Sequence, residues 1–124
     1  MATVLYVDDE EAIRRVVVTW LRRRGHTVHA VATVSDAREL LQTLPIDGAF
    51  VDLWLGEESG LELQDWIDEH YPHLSANVVI VTGDVGFGDS ENTALAKLGR
   101  PVLAKPFELV DLDAFVQGWV TKSD

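Results

Sequence analysis

The chain contains no cysteine, which excludes disulfides, thiolate metal sites and a cysteine nucleophile. Positive charge is also scarce: 10 lysines and arginines stand against 21 aspartates and glutamates, for a formal net charge of −11. Such a surface repels phosphate backbones and anionic lipid, so direct partners among nucleic acids and membranes are not expected. No apolar run reaches membrane-spanning length, and the N-terminus enters a strand at once without a leader, so a cytoplasmic protein is expected. No glycine-rich phosphate loop follows the first strand, which leaves Rossmann or P-loop nucleotide binding unsupported. There is no internal repeat, low-complexity tract or linker. With 124 residues, 47% of them hydrophobic, a single domain over 1–124 with one core is expected.

What is present is an alternation of short apolar runs with helix-period segments, the pattern of βαβ units and a parallel sheet. Strands are predicted at Val4–Val7, Thr27–Val31, Asp47–Asp52, Asn77–Thr82 and Val102–Ala104. Helices follow on stripes such as Ile13, Val16, Val17, Trp20 and Leu21, with Gly25 as a stop, and Ala37, Leu40, Leu41 and Leu44 before Pro45. Leu61, Leu63, Trp66 and Ile67 mark a third helix ending near Tyr71-Pro72. Glycines at 83, 86 and 88 predict a loop before a short fourth helix around Glu91–Leu98. Leu109, Leu112, Phe115, Val116, Trp119 and Val120 mark the last. Right-handed crossovers place helices on both faces of such a sheet.

Four of the strands end on a chemically active residue: Asp8-Asp9, Asp52, Thr82 and Lys105-Pro106. The carboxyl ends of parallel strands face one crevice, so these groups are expected to meet at one edge. Asp8, Asp9 and Asp52 gathered there repel one another unless a cation joins them, and hard oxygen ligands without His or Cys favour Mg²⁺. Mg²⁺ completes its octahedron with waters and phosphate oxygens, which suits phosphoryl chemistry, and a carboxylate can itself attack phosphorus. Lys105 supplies a second cation, Thr82 a hydroxyl donor, and the backbone carbonyl of Trp54 a further candidate metal ligand. Acidic residues at strand ends also serve as solvated turns or caps, and Asp9 is placed to cap the first helix. Coincidence is a poor account of all five positions together.

Val7-Asp8-Asp9-Glu10, Asp52 with Ser59-Gly60-Leu61-Glu62-Leu63 after it, Val81-Thr82-Gly83 and Lys105-Pro106-Phe107 resemble, in order and spacing, the receiver domain of two-component response regulators. The resemblance spans nearly the whole chain. It implies a flavodoxin-like three-layer α/β/α sandwich with strand order 2-1-3-4-5. It implies that Asp52 is the phosphoacceptor, that Asp8, Asp9, Asp52 and the Trp54 carbonyl hold Mg²⁺, and that Thr82 and Lys105 contact the phosphoryl group. The Lys105–Pro106 bond is then expected to be cis. The implied donor is a sensor histidine kinase or a histidine phosphotransfer protein, and the domain is a switch consumed stoichiometrically rather than an enzyme in the usual sense. The Gly99–Leu103 approach to the lysine also resembles receivers fused to hybrid sensor kinases, so a stand-alone regulator and a piece of a longer protein both stay open. A homodimer through the fourth-to-fifth-helix face is a further candidate assembly.

The chain departs from the family in places. Val102 stands where the family has a Tyr or Phe coupled to the switch hydroxyl, so readout is expected through the loop and helix after Thr82 instead. Gly56-Glu57-Glu58 replaces a common proline. Trp54 and Asp84 occupy positions that influence how water reaches the acyl phosphate.

Other features read as background. His26 and His29, and His70 and His73, lack the further ligands of a zinc site and are read as solvated. Arg22-Arg23-Arg24 complements a helix C-terminus and is a minor candidate for docking an acidic partner. Two rival functions come from other classes. A Mg²⁺-dependent aspartyl-phosphate hydrolase carries its nucleophile on the first strand and needs a substrate cap, for which the chain has no room. An unphosphorylated pseudo-receiver sits poorly with intact Asp9, Asp52 and Lys105.

Overall fold

The computed structural model describes residues 2–83 and 100–119. In chain order its elements are β1 (Thr3–Val7), α1 (Glu11–Arg23), β2 (Thr27–Val31), α2 (Val34–Thr43), β3 (Gly48–Asp52), β4 (Trp54–Leu55), β5 (Glu58–Ser59), α3 (Gly60–His70), α4 (Pro72–Ser75), β6 (Val78–Thr82), β7 (Val102–Ala104) and α5 (Leu109–Trp119). The fourth helix expected around Glu91–Leu98, the loop at 83–88 beyond Gly83, Asp84 and Val120 lie outside the described residues, as does one side of the candidate dimer face.

Five strands pair in parallel in the order β2-β1-β3-β6-β7. With the small antiparallel pair β4–β5 set aside, that is the flavodoxin-like order 2-1-3-4-5. The two central strands and β1 are apolar at nearly every position because helices cover both sheet faces. Alternate residues divide them. Leu5, Val7, Ala49, Val51, Val78 and Ile80 pack on Val34, Ala37 and Leu41 of α2 and Leu63 and Ile67 of α3. Val4, Tyr6, Phe50, Val79 and Val81 pack on Val17 and Leu21 of α1 and Leu112, Val116 and Trp119 of α5. Each layer holds its own core, and the sheet separates them.

Element ends follow local chemistry. Thr33 caps α2, its hydroxyl accepting from the Asp36 amide at 3.1 Å. Helix α1 ends in a Schellman motif: the amides of Gly25 and His26 donate to the carbonyls of Arg22 and Leu21, with Gly25 at φ +92°. Gly48 is required for a different reason. A Cβ there would lie 2.2 Å from the Trp119 ring, so glycine lets α5 settle on β3.

The structure departs from the sequence reading at four points. The stretch after Asp52 is a short hairpin, with Gly56 at φ +63° in its turn. The Tyr71-Pro72 stop starts the single-turn α4, with proline in its first turn. His26, read as solvated, is only 6% exposed. Its Nδ1 accepts from the Ala2 amide at 3.3 Å and its Nε2 faces Asp113 Oδ1 at 3.3 Å, tying the start of β1 to α5. Val16 also leaves its expected place: it is 53% exposed, beside an open apolar groove of about 870 Å³ between α1 and the start of α5.

Candidate functional site

The register of the sheet sets the site. Val7 pairs with Val51, Asp52 with Val81, and Thr82 with Ala104, so Asp8, Asp52, Thr82 and Lys105 emerge together at one end of the central strands. The Lys105 amide donates to the Thr82 carbonyl at 2.8 Å, which fixes where the lysine leaves β7. The Lys105–Pro106 bond is cis. Gly60 closes the site from the other side: its amide donates to the Leu53 carbonyl at 2.8 Å, and a Cβ there would stand 2.0 Å from the Asp52 carbonyl oxygen. Only glycine lets α3 start this close to the end of β3.

Lys105 reaches back over the sheet edge. Its Nζ lies 2.7 Å from Asp52 Oδ2, 3.0 Å from Asp8 Oδ2 and 3.2 Å from Glu10 Oε1. Asp8 and Asp52 are buried, and each carboxylate is held by further donors. Asp8 Oδ2 accepts from the Tyr6 hydroxyl at 3.0 Å and its Oδ1 from the Glu10 amide at 3.0 Å. Asp52 Oδ1 accepts from the Trp54 amide at 3.1 Å, and Trp54 is 51% exposed. Thr82 is fully buried at the end of β6.

Burial shapes the electrostatics. Loss of solvent is the main force lifting the Asp52 carboxyl from 3.8 to about 6, against the hydrogen bonds from Lys105 and the Trp54 amide, which pull it down. For Lys105, burial alone would lower the value, but the hydrogen bonds to Asp52 and Asp8 and their charges outweigh it and hold the ammonium well above its ordinary range. Burial, and then the neighbouring Asp8, push the Tyr6 phenol far up, so it serves as a donor and not as an acid.

Asp8, Glu10 and Asp52 each place one carboxylate oxygen within 4.8 Å of the others. An all-oxygen set of this kind can hold a hard divalent cation. Glu10, given no role by the sequence pattern, joins Asp8 and Asp52 in this group. Asp9 Oδ2 accepts from the Gly56 amide at 3.0 Å, fastening the β4–β5 hairpin, and lies outside the close carboxylate group. The side chain of Glu10, at the N-cap of α1, makes no capping bond and turns to Lys105. Asp9 does not cap α1 either; the amide of Glu10 is taken by Asp8. Local sequence carries no sign of the Glu10 contact, because its partner lies 95 positions further along.

Val102 opens β7 opposite Ile80 and packs partly buried against the core on the α2–α3 face, with no ring to change position. His29, His70 and His73 join no group of metal-binding side chains among the described residues. Of the arginine run, Arg24 stacks 4.5 Å over the Trp20 ring and Arg22 donates to the Val28 carbonyl.

The sequence pattern described as response regulator receiver domain matches residues 4–117. The chain is 33% identical over 126 residues to the sensor kinase CckA of Brucella abortus, covering 99% of this chain and 13% of that protein. It spans half or less of the length of the curated relatives it matches. Its fold superposes on the receiver domain of the Francisella response regulator 1452 with a TM-score of 0.82, at 19% identity and full coverage of both chains. It also superposes on a response regulator from Burkholderia pseudomallei carrying a phosphorylated aspartic acid, a calcium ion and citrate, with a TM-score of 0.80, 26% identity, and 94% and 67% of the two chains covered. No described helix is long and apolar enough to cross a membrane.

Proposed function

This chain belongs to the response regulator receiver domain family of two-component signalling, and from that premise we propose that it accepts a phosphoryl group on Asp52 from a phosphohistidine. The observation that carries the proposal is the buried Asp52 carboxylate with the Lys105 ammonium at 2.7 Å and Asp8 beside it. Asp52 Oδ2 attacks phosphorus, an O–P bond forms as the P–N bond to the donor histidine breaks, and neutral imidazole leaves, the bond pair staying on its nitrogen while the other ring nitrogen keeps the proton it already carried. Lys105 holds the transferred oxygens and offsets the charge spread over them. The Thr82 hydroxyl donates to the same group. The Trp54 amide keeps Asp52 in register for attack by holding Oδ1.

The carboxylates of Asp8 and Asp52, with Asp9 or Glu10 and the Trp54 carbonyl at the rim, are the residues that would hold Mg²⁺. When bound, the cation neutralises the acidic cluster and the developing phosphoryl charge. The donor is a sensor histidine kinase or a histidine phosphotransfer protein. Phosphorylation replaces one charge on Asp52 with about two and adds acceptor oxygens, which biases a surface read by the next partner. The domain is used once per transfer and is not an enzyme in the usual sense.

The test is incubation with acetyl phosphate and Mg²⁺, followed by intact mass. One added phosphate on the wild type, absent from Asp52→Asn and absent with EDTA, is the expected result. A chain that never gains phosphate, or releases inorganic phosphate over many turnovers from metabolite monoesters, overturns it.

A further inference from the structure

We propose that Glu10 is a positioning residue for Lys105, competing with the phosphoryl group for its ammonium; this rests on the phosphoacceptor reading above. Three observations converge. Glu10 stands at the N-cap of α1, where a side chain ordinarily accepts from the helix amides, yet it makes no such bond. Its Oε1 lies 3.2 Å from Lys105 Nζ instead. And it is the outer member of the set: Asp8 and Asp52 are almost fully buried, whereas the Glu10 side chain is 59% exposed.

The consequence follows from charge. Three carboxylates share one ammonium. Asp8 and Asp52 cannot leave, being packed at strand ends. Glu10 can, because its side chain is long and faces solvent. An incoming phosphoryl group brings negative charge to the same ammonium that the Glu10 carboxylate holds, so the two repel. Glu10 must then yield Lys105. With its side chain 59% exposed, a displaced Glu10 carboxylate turns into water. Glu10 therefore lowers the affinity of the site for tetrahedral anions and restrains Lys105 until one arrives.

The experiment titrates the full chain with beryllofluoride, a phosphoryl mimic, at saturating Mg²⁺ by calorimetry, in wild type, Glu10→Gln and Glu10→Asp, with Mg²⁺ alone titrated in parallel. Glu10→Gln keeps the shape and an acceptor oxygen but removes the charge. It is expected to bind beryllofluoride roughly threefold to tenfold tighter, the size of one nearby charge in a partly solvated site, with the gain shrinking in high salt. Glu10→Asp keeps the charge on a shorter stem and is expected to fall between wild type and Glu10→Gln. Unchanged melting of Glu10→Gln separates this effect from a structural one. Equal or weaker anion binding by Glu10→Gln overturns the proposal while leaving Asp52 as the acceptor. If the wild type itself binds no beryllofluoride, the phosphoacceptor reading is what fails.

Discussion

Lys105 Nζ sits 2.7 Å from Asp52 Oδ2 although the two residues are 53 positions apart, joining the residue that follows β7 to the last residue of β3. Both groups are sheltered from water, so each is the other's compensation. Removing one partner of such a pair leaves a buried charge unmatched. Lys105→Ala should therefore lose about 2–4 kcal/mol of stability without metal, and regain much of it when Mg²⁺ is added. Urea unfolding with and without the cation checks this; a variant as stable as wild type in EDTA would contradict it.

Asp52 gives a pH prediction of defined sign. Its carboxyl is raised from 3.8 to about 6, so between these values the folded protein keeps a proton that the unfolded chain has released. Stability from this group is complete below about 3.8 and is lost as the pH rises through about 6. Asp52→Asn cannot ionise and escapes the loss. Its melting temperature minus that of the wild type should climb between these pH values and then level off, corresponding to roughly 2–3 kcal/mol. Mg²⁺ should close the gap at neutral pH. A difference that does not vary with pH would sink the assignment.

Gly60 is the steric hinge of the site. Alanine there would drive its Cβ to 2.0 Å from the Asp52 carbonyl oxygen, backbone that cannot swing aside. Gly60→Ala should cost about 2–3 kcal/mol and displace α3 from the end of β3, slowing phosphorylation as well. Gly118→Ala is the control: it also lies in a helix, but its Cβ meets nothing within 4 Å, so a small change in stability is expected. Chemical denaturation of both variants compares them directly.

The hydroxyl of Tyr6 donates to Asp8 Oδ2 at 3.0 Å inside the core. Tyr6→Phe removes that donor with no cavity and should cost about 1–2 kcal/mol, since a buried carboxylate loses a hydrogen bond. Thermal melts in EDTA and in Mg²⁺ check it; Asp8 should be partly compensated by the cation. Equal losses in both buffers would mean that Asp8 does not meet the metal.

Most of this architecture was legible because its signals are local. The strands at Thr27–Val31 and Val102–Ala104 have the bounds their apolar runs predict, and the site residues lie where those runs stop. Parallel pairing then brings the strand ends together. What escaped depends on distant partners. Trp54–Ser59 is too short to show strand alternation, and its hairpin is fastened by Asp9, 47 positions before Gly56. His26 has no periodic neighbour to betray its burial; Asp113, 87 positions later, accounts for it. Glu10 reads as one more acid at a helix start until Lys105 is seen above it. The exposure of Val16 was hidden for the opposite reason, since it fits the apolar stripe of α1 and yet faces a groove.

The most direct measurement locates the phosphate itself. Protein treated with acetyl phosphate and Mg²⁺ is reduced with borohydride, which converts an aspartyl phosphate to homoserine, and the peptides are sequenced by mass spectrometry. The conversion should fall on Asp52 alone and vanish when Lys105 is replaced or the metal is chelated. Conversion at Asp8 or another carboxylate, or at none, would contradict the account.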